Sequence, residues 1–550
     1  MGMCRRRAAA YEAVATEEAA AADPLASPRA PTSPPPPAQT FVTATSLILR
    51  GCGAVYFFAF LAAFFQNRAL IGSNGLAPAH MYFERLRLRP LDGFLAHPAI
   101  WWWVPLTDDR LDAAALAGLA LSALVCVGLS CSAVMLALWL LYFSIVSAAE
   151  GSSFYAYGWE SQLLETGFLA MLLCEPAPWR LRPSRPPSLP ALWLLRWLMF
   201  RISIGAGLIK VRGDSCWTQR TCLWHHFETQ PLPSPGSFVF HFLPRPVLSA
   251  AIDLDLFVQL YTAWLVLLPG IGPLRWLRRA GGFLQAGFMV NIALSGNFSL
   301  LNHLTVLPAL ACLDDACWPA WLRRAAPAGA PPRRNASRLL VDTAALIAVG
   351  YLSWPVVANL LQLDGRRQVM NSSFNSFRLV NTYGAFGSVG EARYEPILSV
   401  SSDGKVWTEL DFPCKPGNVT RRPCFCAPYH YRLDWNIWFI GFKPHQSMLQ
   451  QRERWLFTFV EKLLAGDELA ISLLDRSSYA VFTDPNVPGK KRRPKFAKVD
   501  MWRYEMSAPL WELVTPWFRG ETVTWWRRKY EEQLIPTVVI HQGQLALAAQ

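Results

Sequence analysis

The stretch LWLLRWLMFRISIGAGLIKVRGDSCWTQRTCLWHHFETQPLP, residues 192–233, decides the fold. Its first part, 192–209, is apolar apart from Arg196 and Arg201, and about 20 apolar residues of helix cross a bilayer. The second part contains two cysteines, two adjacent histidines and a glutamate. The stretch therefore predicts a membrane helix that passes without a linker into a segment exposed to water.

The two arginines of this helix need an explanation because charges are costly inside a membrane. Arg196 lies near enough to the helix start to reach the interface. Arg201 lies deeper and requires a carboxylate, for which Glu160 and Glu165 of the segment 158–168 are the candidates. An intramembrane ion pair that holds helices together is favoured over a transport or catalytic role.

Long uncharged runs show that more helices of this kind exist. Hydrophobic residues make up 52% of the chain, and no Asp, Glu, Lys or Arg occurs in 113–149, 256–274, 280–313 or 343–363. We predict a polytopic α-helical membrane protein with five to nine spans or membrane helices. An odd number would place the two chain ends on opposite sides.

Two of these runs are too long for one crossing. A helix over 113–149 would measure roughly 55 Å, against about 30 Å of hydrocarbon, so we predict a hairpin that turns at 128–132. The run 280–313 is predicted to turn at 295–297. His303, which follows that turn, is interpreted as a satisfied interior histidine instead of a ligand.

Charge and cysteine content argue against two other classes of protein. The net charge is +13, but the arginines cluster beside apolar spans, which is typical of topology signals and not of a nucleic-acid surface. The 12 cysteines have no spacing typical of a zinc site. We expect no metal, no cofactor and no nucleic acid.

The chain divides into three predicted parts: a disordered cytosolic tail at 1–40, a multi-pass membrane domain at 41–363, and a lumenal domain at 364–550. The first span, 41–66, is predicted to be an uncleaved signal anchor, and 66–111 and 212–253 are predicted lumenal loops. Arginines near the ends of spans mark the cytosolic side. The clusters that assign it are Arg5–Arg7, Arg180, Arg182, Arg185, Arg275, Arg278, Arg279, Arg323, Arg324, Arg333 and Arg334. Arg85, Arg87 and Arg89 disagree with this assignment because they fall in a predicted lumenal loop.

Glycosylation sequons test this orientation because an acceptor must be lumenal and clear of the membrane. Asn371 and Asn418 satisfy both conditions, so both are predicted glycosylation sites. Asn297 lies inside an apolar run and Asn335 lies among the cytosolic arginines, so neither is expected to carry a glycan.

The final part has the pattern of a mixed α+β domain with a β-rich portion. Residues 394–412 predict a hairpin that turns at Asp403 and Gly404. Residues 445–464 predict an amphipathic helix that stops at Gly466, and strands are predicted at 495–507 and within 524–533. The basic run 489–495 is interpreted as a solvated loop.

Five cysteines, Cys216, Cys222, Cys414, Cys424 and Cys426, fall in predicted lumenal segments, where disulfides are permitted. Cys216 with Cys222, and Cys414 with Cys424, would each close a short loop. Cys426 is then unpaired, and such a thiol is either buried, cross-linked to another chain, or able to exchange disulfides. Because no CxxC motif is present, two structural bridges and one inert cysteine are favoured.

A further candidate site follows the first disulfide loop, at Trp224, His225, His226, Phe227 and Glu228. A hydrolase would need a nucleophile and an orienting acid, and no GxSxG or HExxH motif accompanies these residues. The aromatic side chains and the following PLPSP instead predict a rigid surface loop that docks a partner. We therefore expect no catalytic site.

Several stretches together resemble one family. They are GWESQLLETGF (158–168), RWLMFRISIGAGLIKVRGDSCW (196–217), FETQPLPSP (227–235), GNFSLLNHLTVLPALACLDD (296–315), RQVMNSSFNSFRLVNTYGAFGS (367–388) and RRPCFCAPYHYRLDWNIWF (421–439). From about residue 47 to about residue 470 the chain resembles the lipase maturation factor family. The sequences of 205–214 and 381–388 are closer to those of the first vertebrate member of the family than to those of the second.

This resemblance implies a multi-pass membrane protein of the endoplasmic reticulum with a cytosolic amino end and a lumenal carboxyl domain. It implies a folding factor that secreted lipases of the lipoprotein lipase type need to assemble into active dimers, alongside other lumenal folding factors. Client binding would involve 212–253 and 364 onward. Cys216, Cys222, Cys414 and Cys424 match family cysteines, whereas Cys317 and Cys426 depart from the pattern.

The rival hypothesis is a membrane-embedded enzyme or transporter that uses the intramembrane charges Glu160, Glu165, Arg201, Lys210 and His303. The two hypotheses differ in geometry. Convergence of these side chains on an open, water-filled pocket would favour the rival, and closed pairs between helices would count against it.

Overall fold

The structure is a computed structural model that describes residues 39–175, 186–324, 336–363, 365–442, 454–484 and 491–548. Residues Thr40–Gln550 cluster as one compact unit. The predicted tail at 1–40, apart from its last two residues, lies outside the described residues. So do the arginines at 5–7, 180, 182, 185, 333 and 334, and the sequon at Asn335.

Helices dominate the first part of the chain. They are α1 (Val42–Ile71), α2 (Ala79–Arg87), α3 (Pro90–Ala96), α4 (Asp108–Val127), α5 (Ser132–Ala148), α6 (Gly158–Met171), α7 (Leu189–Arg212), α8 (Ser215–Thr218), α9 (Leu223–Thr229), α10 (Pro235–His241), α11 (Arg245–Leu260), α12 (Leu274–Ser295), α13 (Leu301–Leu310) and α14 (Ala336–Leu360). We call 40–363 the helical region.

Six helices in the described part of the chain are long and apolar enough to cross a membrane. They are α1, α4, α5, α7, α11 with its 3₁₀ continuation to Leu267, and α14. Helices α6, α12 and α13 pack against these six. The prediction of a polytopic α-helical membrane protein is confirmed.

Both predicted helical hairpins are present. Helix α4 ends at Gly128, whose φ of 101° places it in the left-handed region, and α5 begins at Ser132. A left-handed glycine satisfies the last carbonyls of a helix, here through bonds from the amides of Gly128 and Leu129 to Val125 and Leu124. Helix α12 ends at Ser295 and α13 begins at Leu301, so the second turn is also where the sequence predicts it.

The C-terminal region, 365–548, contains a five-stranded antiparallel sheet in the order β2-β1-β3-β4-β5. Its elements are β1 (Arg393–Ser401), β2 (Thr408–Glu409), α15 (Arg432–Ile440), α16 (Trp455–Ala465), α17 (Glu468–Ile471), β3 (Phe496–Met506), α18 (Leu510–Phe518), β4 (Trp526–His541) and β5 (Gln544–Leu547). The mixed α+β prediction is confirmed.

Local sequence signals account for the predicted elements of this region. The β1–β2 hairpin aligns Ser399 with Glu409, and its loop contains Gly404 at a φ of 73°. Hydrogen bonds from the backbone of Val406 and Lys405 lower the pKa of Asp403 to about 2. Helix α16 stops at Gly466, whose φ is 74°, as predicted. The first part of the predicted helix, 445–453, lies outside the described residues.

The helical region has two distinct ends. We call the end that contacts the C-terminal region the junction end and the other one the opposite end. At the opposite end, the Asp315 carboxylate accepts hydrogen bonds from the first amides of α1, Val42 and Thr43, at 3.1 and 2.8 Å. At the other end, the junction end, the last turns of α1 contact the C-terminal region. Gln66 donates to the His430 carbonyl at 2.7 Å and accepts from the Arg432 amide at 3.0 Å.

We expect Gln66→Leu to loosen the C-terminal region from the helices. The substitution leaves a buried carbonyl and a buried amide without partners, which lowers the free energy of unfolding by about 2–4 kcal/mol. Limited proteolysis of the detergent-solubilised protein should then cut the C-terminal region sooner. Gln544→Leu, an exposed change in β5, is the control. Equal protection of the two variants would contradict this role of Gln66.

Candidate functional site at the junction end

The junction is built around two carboxylates on α6. Glu160 and Glu165 are both completely buried. Five residues correspond to a rotation of about 140° around a helix, so the two side chains point to different neighbours. One arginine cannot neutralise both carboxylates, and the structure pairs each with its own cation.

Arg201 of α7 forms an ion pair with Glu165, one of the two partners proposed from the sequence. The second oxygen of Glu165 accepts hydrogen bonds from the Asn381 side chain at 3.0 Å and from the Tyr383 hydroxyl at 2.7 Å. The Asn381 carbonyl in turn accepts from Arg201 at 2.9 Å. A segment of the C-terminal region therefore completes an ion pair between two helices of the helical region.

Gly205 makes this approach possible. A Cβ atom at position 205 would lie 2.3 Å from the Tyr383 carbonyl oxygen, which is closer than atoms of a folded protein can come. The glycine lies one helical turn beyond Arg201, so the same face of α7 provides both the cation and the space for the incoming segment.

Glu160 pairs with Arg432 of α15 and not with Arg201. The guanidinium lies 2.7 Å from Glu160, donates to the Phe154 carbonyl at 2.8 Å and lies 3.6 Å from the centre of the Tyr155 ring. Burial alone would lower the pKa of Arg432, but the charge of Glu160, the hydrogen bond to it and the nearby Tyr155 and Tyr142 together outweigh burial and raise that pKa. The sequence analysis missed Arg432. An unpaired second carboxylate on α6 was the signal for a further cation.

Other buried charges also form closed contacts. Lys210 of α7 binds Asp255 of α11 at 2.6 Å, and Arg279 of α12 binds Asp314 at 2.9 Å. Arg196 is 3% exposed and donates to the Ala311 carbonyl at 2.8 Å. The expectation that Arg196 reaches the interface was wrong, because α13 packs over it and supplies the acceptor.

The geometric test of the enzyme or transporter hypothesis can now be made. Glu160, Glu165, Arg201 and Lys210 lie in closed pairs. His303 is half-buried on α13 and interacts with the backbone of Ser299. A cavity of about 90 Å³ and one of about 630 Å³ occur in the described part of the chain, and none of these five residues lines either of them. The geometry counts against this hypothesis.

The predicted surface loop at 224–228 is wrong. These residues lie in α9, and His226, Phe227 and Glu228 are buried, while Trp224 and His225 are half-buried. Glu228 accepts a hydrogen bond from the Met506 amide of β3 at 2.7 Å, and burial raises its pKa. Burial lowers the pKa of His226 to about 3, so this histidine stays neutral. The group connects the helices to the sheet.

Disulfides join Cys216 to Cys222 and Cys414 to Cys424. Cys426 is free, as the sequence analysis expects, and its sulfur lies 3.5 Å from that of Cys414. Burial raises the pKa of the Cys426 thiol to about 12. The three C-terminal sulfurs form one cluster.

The sequons differ in surroundings. Asn371 and Asn418 are exposed. Asn297 is 1% exposed, accepts from the Cys426 amide at 2.9 Å and donates to the Cys424 carbonyl at 3.0 Å. Its side chain therefore holds the cysteine segment against the turn between α12 and α13, which the sequence did not indicate.

An exposed aromatic surface lies on α18, which the sequence analysis did not single out. Trp511 is 57% exposed and Phe518 76%, while Leu513 on the same helix is buried. The Arg422 guanidinium, from the loop of the second disulfide, lies 4.9 Å from the centre of the Trp517 ring. We call Trp511, Trp517 and Phe518 the aromatic face.

These observations define a class: a multi-pass membrane protein whose C-terminal α+β region supplies charges and hydrogen bonds to buried groups of its membrane helices. Two family models match the chain, the lipase maturation factor transmembrane domain over residues 43–320 and the lipase maturation factor C-terminal domain over 379–536. The chain belongs to the lipase maturation factor family.

Individual relatives agree with this assignment. The chain is 39% identical to lipase maturation factor 1 of Bos taurus, with 86% of each chain covered. It is 38% identical to lipase maturation factor 1 of Homo sapiens, with 87% of this chain and 88% of the relative covered. Identity to lipase maturation factor 2 of Rattus norvegicus is 27%, with 92% and 84% covered. No solved structure matches the chain.

A double-mutant cycle should show that Glu160 and Arg432 act as a pair. Glu160→Gln or Arg432→Met alone leaves one buried charge uncompensated and should lower the free energy of unfolding by about 3–5 kcal/mol. The double variant should lose less free energy of unfolding than the sum of the losses of the two single variants. Denaturant unfolding in detergent measures this.

The exposed pair Arg503 and Glu505 provides a control cycle, because both side chains are about half exposed. Its coupling energy should not exceed about 1 kcal/mol. Purely additive effects of Glu160→Gln and Arg432→Met would contradict the pairing.

Proposed function

We propose that this protein is a folding and assembly factor of the endoplasmic reticulum membrane that secreted lipases of the lipoprotein lipase type need to become active dimers. The observation that carries the proposal is membership of a family whose curated relatives are named lipase maturation factors. The contacts at the junction end add physical support, because they hold the C-terminal region rigidly on the membrane helices as a fixed surface for a client.

The proposed orientation has a cytosolic amino end and a lumenal C-terminal region. Six crossings would place both chain ends on one side, so this orientation requires an odd number of further crossings among α6, α12 and α13, which pack against the six candidate spans. Arginines near the opposite end support it: Arg278 and Arg279 of α12 bind Asp314 there, and cytosolic ends of spans are enriched in Lys and Arg. Both disulfides and the exposed sequons Asn371 and Asn418 fit an oxidising, glycosylating compartment on the other side.

We expect endoglycosidase treatment to detect two glycans, one removed by Asn371→Gln and the other by Asn418→Gln. Asn297→Gln serves as the control, because this side chain is buried and bonded to the cysteine segment. Gel mobility of the chain expressed in cells measures the result. An unchanged mobility for both Asn371→Gln and Asn418→Gln would contradict the proposed orientation.

The aromatic face is the proposed contact surface for a partly folded lipase subunit. Trp and Phe side chains that stay exposed on a rigid helix give a large apolar area at low entropic cost, and Trp is enriched among residues that dominate binding energy. Leu513 fixes α18 in the cluster formed with Phe238 and Trp525. The aromatic face is therefore already held in place before a client arrives.

A folding factor of this kind acts by mass action. A lipase subunit that has not yet dimerised exposes apolar surface and aggregates readily. Binding to the aromatic face would cover part of that surface and lower the concentration of the free, aggregating subunit. Dimerisation of the client then buries the same surface and releases it. The scheme needs neither a catalytic residue nor a cofactor.

The triple variant Trp511→Ala, Trp517→Ala, Phe518→Ala should lower the lipase activity secreted by cells that lack the native protein by about tenfold or more, because each aromatic contact contributes about 1–2 kcal/mol. Trp321→Ala is the matched control, since Trp321 is 84% exposed but lies toward the opposite end. Normal secretion by the triple variant at equal expression would refute the aromatic face as the client surface.

A further inference from the structure

The sulfurs of Cys414, Cys424 and Cys426 lie within 4.8 Å of one another. Cys414 is bonded to Cys424, and the free Cys426 sulfur is 3.5 Å from the Cys414 sulfur. A thiol in contact with a disulfide has the arrangement needed for exchange, in which a thiolate attacks one sulfur of the bond. Cys426, which the sequence analysis expects to be inert, therefore has a disulfide of its own chain within contact distance.

The backbone around the three cysteines is fixed from two sides. The Cys414 amide donates to Asp434 at 2.7 Å, and Asp434 is 1% exposed. On the other side, Asn297 binds the backbone of Cys424 and Cys426. These contacts hold the three sulfurs together in one cluster.

We propose that Cys414, Cys424 and Cys426 form an internal thiol–disulfide exchange site. The Cys426 thiol loses its proton and attacks the Cys414 sulfur. The Cys414–Cys426 bond forms as the Cys414–Cys424 bond breaks, and the electron pair leaves on the Cys424 sulfur, which takes up a proton. The number of disulfides and thiols is unchanged, so the step needs no oxidant or reductant.

The exchange moves the free thiol to a different environment. Cys424 lines a cavity of about 90 Å³ together with the cations Lys415, Arg421 and Arg422 and one carboxylate, Asp475, whereas Cys426 does not line it. Three cations against one carboxylate leave the lining positive, which favours a thiolate, so a thiol at Cys424 is more reactive toward small thiols and disulfides that enter this cavity. Burial keeps Cys426 protonated at rest and makes the exchange slow. This activity goes beyond the proposed role in lipase maturation and does not depend on it.

Labelling of the full chain in native membranes tests the site. A maleimide traps whichever thiol is free, and after denaturation chymotrypsin cleaves after Phe425, which separates Cys424 from Cys426. We expect label on both cysteines in the native protein and about tenfold less on Cys424 in Cys426→Ser, which has no thiol to release Cys424. Equal labelling of Cys424 in the two proteins, or label on Cys426 alone in the native protein, would overturn the proposal.

Two further variants sharpen the result. Cys424→Ser should contain a Cys414–Cys426 disulfide, and free thiols at both positions would count against exchange. Cys317→Ser is the matched control, because this free cysteine lies at the opposite end, beside Asp314. It should leave the distribution of label between Cys424 and Cys426 unchanged. The labelling of the native protein needs no substitution, so it remains decisive if Cys424→Ser does not fold.

Discussion

The two carboxylates of α6 must be neutralised before this helix can lie inside the bundle, and this requirement organises the molecule. Arg201 neutralises Glu165 from a neighbouring membrane helix, but the cation for Glu160 is Arg432 of the C-terminal region. Breaking either pair would leave a buried charge, which is far more costly than losing a surface contact. The C-terminal region therefore supplies a positive charge that a buried carboxylate of the helical region requires.

The same dependence explains why residues that look functional in the sequence turn out to be structural. Glu228 and His226 have the residue types of a catalytic group. In the structure, Glu228 connects α9 to β3, and His226 packs against the Phe386 ring. Asn297 has the pattern of a glycan acceptor and instead holds the cysteine segment. Polar side chains near the junction join the two regions, and the proposed client surface lies farther out, on α18.

Much of the fold follows from short-range patterns. Uncharged run lengths predict the helical hairpins, and Gly128 and Gly466 mark helix ends because left-handed backbone favours glycine. Because buried charges require partners, the sequence limits the partner of Arg201 to two carboxylates, Glu160 and Glu165. The partner of Glu160 could not be identified, since 272 residues separate it from Arg432 and no local pattern links them. Exposure of α18 likewise depends on how the sheet packs against α10.

The separation between Glu160 and Arg432 also has a consequence for biosynthesis. Ribosomes add about 5–20 residues per second, so α6 is synthesised roughly 14–54 s before Arg432 has been made. During that interval the Glu160 carboxylate of the nascent chain lacks the cation that neutralises it in the folded protein. A chain terminated before position 432 never acquires the missing cation, and this persistent defect gives membrane quality control a physical signal by which truncated products are distinguished from finished ones.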